Sequence, residues 1–180
     1  AACAWCAEHG HSPSSVGVDT WGVDFALIGA DGELAHMPHA YRDPRNDTAY
    51  EKLIATVGKE KLYDRTGVQF MAINSLPQLV ASHGADPTLL GRSKHLLFVP
   101  DLLHYWLTGV AKVEHTIAST SQMIDPRTGG WANDLLEAMS LPTQMLGEIV
   151  PPGMVIGPLR ERVAKRVGAP EGMVAATPAA

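Results

Sequence analysis

Apolar positions along this chain follow two spacings. Val16-Gly17-Val18 and Phe25-Ala26-Leu27-Ile28 are short continuous apolar runs, the pattern of strands covered on both faces. A buried strand is predicted over Val16 to Asp19 and a second over Phe25 to Ile28. The polar and aromatic stretch Thr20-Trp21-Gly22-Val23-Asp24 makes a tight passage between them. Gly29-Ala30-Asp31-Gly32 has turn chemistry and should close a hairpin into Glu33-Leu34. A strand that ends in a glycine beside acidic and aromatic groups can deliver them to a ligand crevice. The alternative is a hairpin whose Asp and Gly only make turns.

Further along, the spacing becomes helical. Pro44 discourages helix at Asp43, which places Arg42, Asp43 and Arg45 in a turn. Asn46 or Asp47 then caps a helix whose Tyr50, Leu53, Ile54 and Val57 keep an i, i+3, i+4, i+7 stripe. A short helix from Leu62 ends at Gly67, and Asn74 or Ser75 caps another that carries Pro77 in its first turn. The apolar run His95 to Pro100 leads into a helix from Asp101 to Leu107, closed by Thr108-Gly109. Leu102, Leu103, Trp106 and Leu107 should share its inner face, with Tyr105 turned away and His104 at the surface. Asp125 to Trp131 reads as a turn, after which Asn133 caps a helix that points Leu135, Leu136 and Met139 inward and stops at Pro142. A last amphipathic helix spans about Leu159 to Val167. Strands are few and helices many, so the class is α/β with a largely helical insertion. Ala1 to His9 reads as the end of a helix stopping at Gly10, and Met173 to Thr177 as a strand just beginning. The chain is therefore expected to be a middle piece of a longer one.

Composition narrows the function. With 180 residues, 46% hydrophobic and 18% charged, a single domain can build a real core. A net charge of −5 with scattered Lys and Arg argues against nucleic acid as a partner. No apolar run has bilayer length and no signal-peptide pattern opens the chain, so no membrane partner is expected and the location is expected to be cytoplasmic. Two cysteines make no disulfide framework. Cys3-Ala4-Trp5-Cys6 with His9 and His11 could supply zinc ligands or a thiol pair. However, all four fall within nine residues, and the pair sits toward a helix end, away from the start where a dipole would activate a thiol. Two small residues one turn apart on a packed helix is the competing reading. Glu114 to Asp125 is dense in hydroxyls and could line a pocket or cap local backbone. Neither G-x-x-x-x-G-K-[ST] nor G-x-G-x-x-G occurs.

Several stretches, taken together, point to a family. Asp19-Thr20-Trp21-Gly22-Val23-Asp24 followed by Tyr41-Arg42-Asp43-Pro44-Arg45 resembles the amino-terminal domain of the FGGY carbohydrate kinases, in their rhamnulokinase branch. Thr66-Gly67-Val68-Gln69-Phe70, Pro100-Asp101-Leu102-Leu103 with Leu107-Thr108-Gly109, and Val150-Pro151-Pro152-Gly153 with Ile156-Gly157 follow in the family's order. The resemblance covers residues 14–177. It departs at Ser75 and Pro77, where the family usually has Thr and Tyr, and at Ile117, where it has Asn.

The resemblance implies part of a ribonuclease-H-like (actin-like ATPase) domain, spanning residues 1–180 but incomplete and lacking the ATP-binding carboxy-terminal domain. It implies an ATP- and Mg2+-dependent kinase acting on a ketose, L-rhamnulose to L-rhamnulose 1-phosphate. Gly22 would contact the ketose, its bare backbone allowing close approach. Trp21 would stack on the sugar or pack in the core, and Asp19 and Asp24 would orient hydroxyls or magnesium-bound water. Arg42, Asp43 and Arg45 would form an ion-pair latch or a polar wall near the sugar. The family's phosphate hairpin and catalytic Asp are expected outside this chain, so no catalytic, ATP or metal residue is expected within it. Alone it should be inactive. A non-catalytic sugar-binding or pseudo-kinase module and a small zinc or redox protein are the rival readings.

Overall fold

The computed structural model describes residues 2–179. In chain order the elements are α1 (Ala2–Glu8), β1 (Ser15–Val16), β2 (Phe25–Gly29), α2 (Arg45–Val57), α3 (Lys59–Thr66), α4 (Ser75–Ala85) and α5 (Leu89–Arg92). There follow β3 (Ser93–Phe98), α6 (Val99–Thr108), β4 (Val113–Glu114), α7 (His115–Ser119), β5 (Ile124–Asp125), β6 (Gly130–Trp131) and α8 (Asn133–Ala138). The last four are β7 (Ile149–Val150), β8 (Val155–Pro158), α9 (Glu161–Val167) and β9 (Val174–Ala176).

The continuous apolar run at Phe25 forms the centre. β2 pairs antiparallel with β3, setting Phe25 opposite Phe98 and Leu27 opposite Leu96. Phe25 through Ile28 are all buried, which is why this strand shows no alternation. Helix α2 packs along α4, and Leu53, Leu76 and Leu79 are wholly removed from water. Each such leucine contributes about 2 kcal/mol. The predicted hairpin forms, with the Gly29 N–H donating to Glu33 O at 2.8 Å and the Ala35 N–H to Leu27 O at 2.8 Å. Its second arm is a single bridge, Leu34 to Ile28. A separate sheet has the order β1-β9-β8, β1 parallel and β8 antiparallel to the central β9.

Some boundaries differ from the sequence reading. β1 is two residues, an exposed Ser15 and a half-covered Val16, shorter than the buried strand predicted over Val16 to Asp19, because β9 is its one partner among the described residues. Helix α2 starts at Arg45, taking that residue out of the turn, since Asp43 Oδ1 accepts its N–H at 3.0 Å. Neither Asn46 nor Asp47 caps it, and Asn46 is buried and donates to Tyr41 O at 3.0 Å. Asn133 lies inside α8, which has no side-chain cap. Gly67 and Gly109 do end α3 and α6, in the left-handed conformation that a Cβ disfavours.

The largest correction concerns α6. Its buried residues include Asp101, His104 and Tyr105, while Trp106 is exposed. His104 is 3% exposed, so it is not a surface residue. Its Nε2 accepts the Val18 N–H at 3.2 Å, just beyond β1, and that bond pulls the imidazole inward.

Candidate functional site

The passage between β1 and β2 folds back on itself at Gly22, Val23 and Asp24. The Asp24 N–H donates to Gly22 O at 2.9 Å, closing a turn of three residues. Val23, at its centre, has φ of 66°. For a β-branched side chain that region is sterically costly, by about 1–3 kcal/mol. Such a conformation persists only where the surroundings hold it.

They do so from two directions. From the start of α4, Ser75 Oγ donates to Val23 O at 2.6 Å and Gln78 Nε2 to the same oxygen at 3.1 Å. Gln78 Nε2 also lies 2.9 Å from Ile73 O and 3.4 Å from Asp24 Oδ1. From just beyond α7, Thr120 Oγ1 accepts the Val23 N–H at 3.3 Å and donates to Ile117 O at 2.8 Å. Thr120 also closes one side of Gly22, where an added Cβ would come within 3.1 Å of its Oγ1.

Three of the four predicted binding residues meet here. Trp21 Nε1 donates to Asp24 Oδ2 at 2.8 Å, so both Asp24 oxygens face protein donors and its carboxylate is buried. Trp21 itself is 56% exposed, which sets it outside the core. Gly22 is half-exposed beside it, and Asp19 stands apart from the trio in solvent. Sequence reasoning missed the residues that hold this trio. Ser75 reads as a helix cap, Gln78 as one polar residue among apolar ones, and Thr120 as one hydroxyl of many.

The other candidates divide. In the polar run from Glu114, most groups cap local backbone. Glu114 accepts from the N–H groups of Thr116 and Ile117, and Ser119 donates to Thr116 O. Thr120 alone reaches the turn at Val23. Arg42 bonds Tyr41, while Arg45 donates to Ser82 Oγ at 3.2 Å with Asp43 3.9 Å from its Nε, an internal latch between α2 and α4. Cys3 and Cys6 are free and half-exposed, and His9 stacks on Trp5 with centroids 4.2 Å apart. Among the described residues no three His, Cys, Asp or Glu side chains converge to hold a metal ion. The described residues thus make no magnesium cluster, and the sequence has no Gly-rich phosphate loop.

The chain shares its fold, part of the actin-like ATPase fold, with solved sugar kinases. It superposes on a ligand-bound xylulose kinase from Lactobacillus acidophilus with a TM-score of 0.88 at 15% identity, covering 98% of this chain and 36% of that one. The Plasmodium falciparum glycerol kinase with ADP gives 0.77 at 16% identity, over 92% of this chain and 34% of its own. Residues 4–179 match the model described as the FGGY family of carbohydrate kinases, N-terminal domain, and the chain belongs to that family. A rhamnulokinase of Bacteroides thetaiotaomicron is 42% identical over 162 residues, 90% of this chain and 33% of that protein. One of Pectobacterium atrosepticum is 40% identical over 148 residues, 82% of this chain and 30% of its own length. The chain spans about a third of these relatives. No helix among the described residues is long and apolar enough to cross a membrane.

Proposed function

We propose that the protein carrying this chain is an ATP-dependent carbohydrate kinase that phosphorylates a ketose, with L-rhamnulose as the favoured substrate and L-rhamnulose 1-phosphate as product. The supporting observation is identity of 40% or more to rhamnulokinases over at least four-fifths of the chain, with the Trp21-to-Asp24 turn inside the family match over residues 4–179. In this reading the chain is the sugar-facing part of the first domain. The half-exposed backbone at Gly22 meets the ketose, the exposed ring of Trp21 covers an apolar sugar face, and Asp19 orients a hydroxyl. Asp24 acts one step back by fixing the Trp21 indole at 2.8 Å. The catalytic carboxylate and the ligands for ATP and magnesium belong to parts of the protein outside this chain, and the protein works in the cytoplasm.

ADP release by the intact protein, followed over a panel of ketoses, tests the reading. Turnover should be highest on L-rhamnulose. Equal or greater turnover on another ketose would reassign the substrate, and none on any ketose would remove the kinase assignment. The purified 180-residue chain should release no ketose-dependent ADP, and release would overturn its proposed incompleteness.

A further inference from the structure

We infer that Thr120, together with Ser75 and Gln78, is a positioning residue for the sugar. The inference rests on the ketose reading above and concerns how Gly22 is held in place. Val23 is the strained centre of the turn. Its peptide groups are gripped on both sides, the N–H by Thr120 Oγ1 at 3.3 Å and the carbonyl by Ser75 Oγ at 2.6 Å and Gln78 Nε2 at 3.1 Å. These grips come from two elements that do not touch β2 in sequence, the first turn of α4 and the residue after α7. A valine at φ 66° would relax to negative φ if released. Relaxation would rotate the Gly22–Val23 peptide and carry Gly22 away from its present exposure.

The grip is built with little slack. Gln78 is 1% exposed, and its amide nitrogen faces three acceptors, two of them on the turn. Thr120 Oγ1 is committed in both directions, accepting from Val23 and donating to Ile117 O at 2.8 Å. The same hydroxyl bounds the space over Gly22. A methyl group in its place would keep the volume and lose both bonds. Positioning of this kind acts on the ground state and the transition state alike, so its signature is in the affinity for the sugar.

The test uses the intact kinase. Thr120→Val should raise the KM for the ketose about tenfold, with the KM for ATP unchanged and the Val23 amide exchanging faster with solvent. Thr120→Ser, which restores the hydroxyl, should bring the ketose KM back to within about twofold of wild type. Gln78→Met, which keeps length and loses the donor, should repeat the Thr120→Val pattern. It also serves as the decisive variant if Thr120→Val does not fold. A rise in both KM values together, or no rescue by serine, would mean that the residues act on stability alone and would overturn the inference. Wild-type protein without ketose turnover overturns the kinase reading and the positioning role with it. Wild-type turnover with an unchanged ketose KM in Thr120→Val and Gln78→Met overturns only the positioning role.

Discussion

Asp101 and His104 lie three positions apart on α6, both nearly shut off from water at 2% and 3% exposure. Burial pushes the Asp101 carboxyl up to about 7 from an ordinary 3.8, against the pull of the Glu114 N–H bonded to its Oδ1 at 3.0 Å. The Glu114 carboxylate nearby raises it further, and the Phe98 N–H lowers it. Burial alone lowers His104, whose Nε2 must stay unprotonated to accept from Val18. The two groups bias stability with opposite slopes. The Asp101 contribution is complete below about pH 4 and is lost as pH rises through about 7, at most about 4 kcal/mol in all. The His104 contribution is present above its unfolded value near 6.5 and is lost as pH falls through the lower folded one. Asp101→Asn, which keeps the Oδ1 acceptor, should abolish the loss between pH 4 and 7. His104→Gln should flatten the acid side. Urea unfolding of each variant across pH 4–8 measures both slopes.

Among the elements, the tie between α3 and the segment from β5 to α8 is the most polar. Arg65 forks onto Asp134 through Nε at 3.1 Å and Nη2 at 2.7 Å, and reaches Asp125 through Nη1 at 2.6 Å. The two carboxylates hold the guanidinium protonated; the Arg127 N–H and then Arg65 lower the Asp125 carboxyl, and Arg65 lowers that of Asp134. A planar fork of this kind suits Arg and not Lys. Arg65→Ala should lower the thermal midpoint more than Arg127→Ala, which breaks only the exposed pair with Asp64. Arg65→Lys should recover a minor part of the loss in the same melting experiment. The tie also shows which features could be read from sequence. Gly67, Gly109 and the apolar run at Phe25 carry their structural cause in their own residues, and they fall where predicted. The inner face of α6 was misread because its polar residues find partners elsewhere in the chain. Val18 meets His104 from 86 positions away, and Glu114 meets Asp101 from 13. The turn at Val23 hid for the same reason, since Thr120 reaches it across 97 positions and Gln78 across 55. Trp21, Gly22 and Asp24, neighbours in sequence, were legible as a unit. What positions them was not.

At the scale of the molecule, the sheet β1-β9-β8 joins the two ends of the chain. Ser15 pairs with Val174 and Val16 with Ala175, and Ala175 is wholly buried. Ala175→Asp would place an unpaired carboxylate inside that sheet, at a cost of about 3–5 kcal/mol. Amide exchange should then rise in β1 and β8 while β2 and β3 stay protected. Equal exposure of all four strands would show that the two sheets unfold as one unit.

The pairing of β1 with β9 also has a consequence in time. A ribosome adds residues at roughly 5–20 per second, and about 160 residues separate Ser15 from its partner Val174. The strand leading into Trp21 and Gly22 is therefore made roughly 8–30 s before β9. Thr120 and Gln78 are made earlier than β9. During synthesis the turn can be gripped from the α4 side before the strand behind it is anchored.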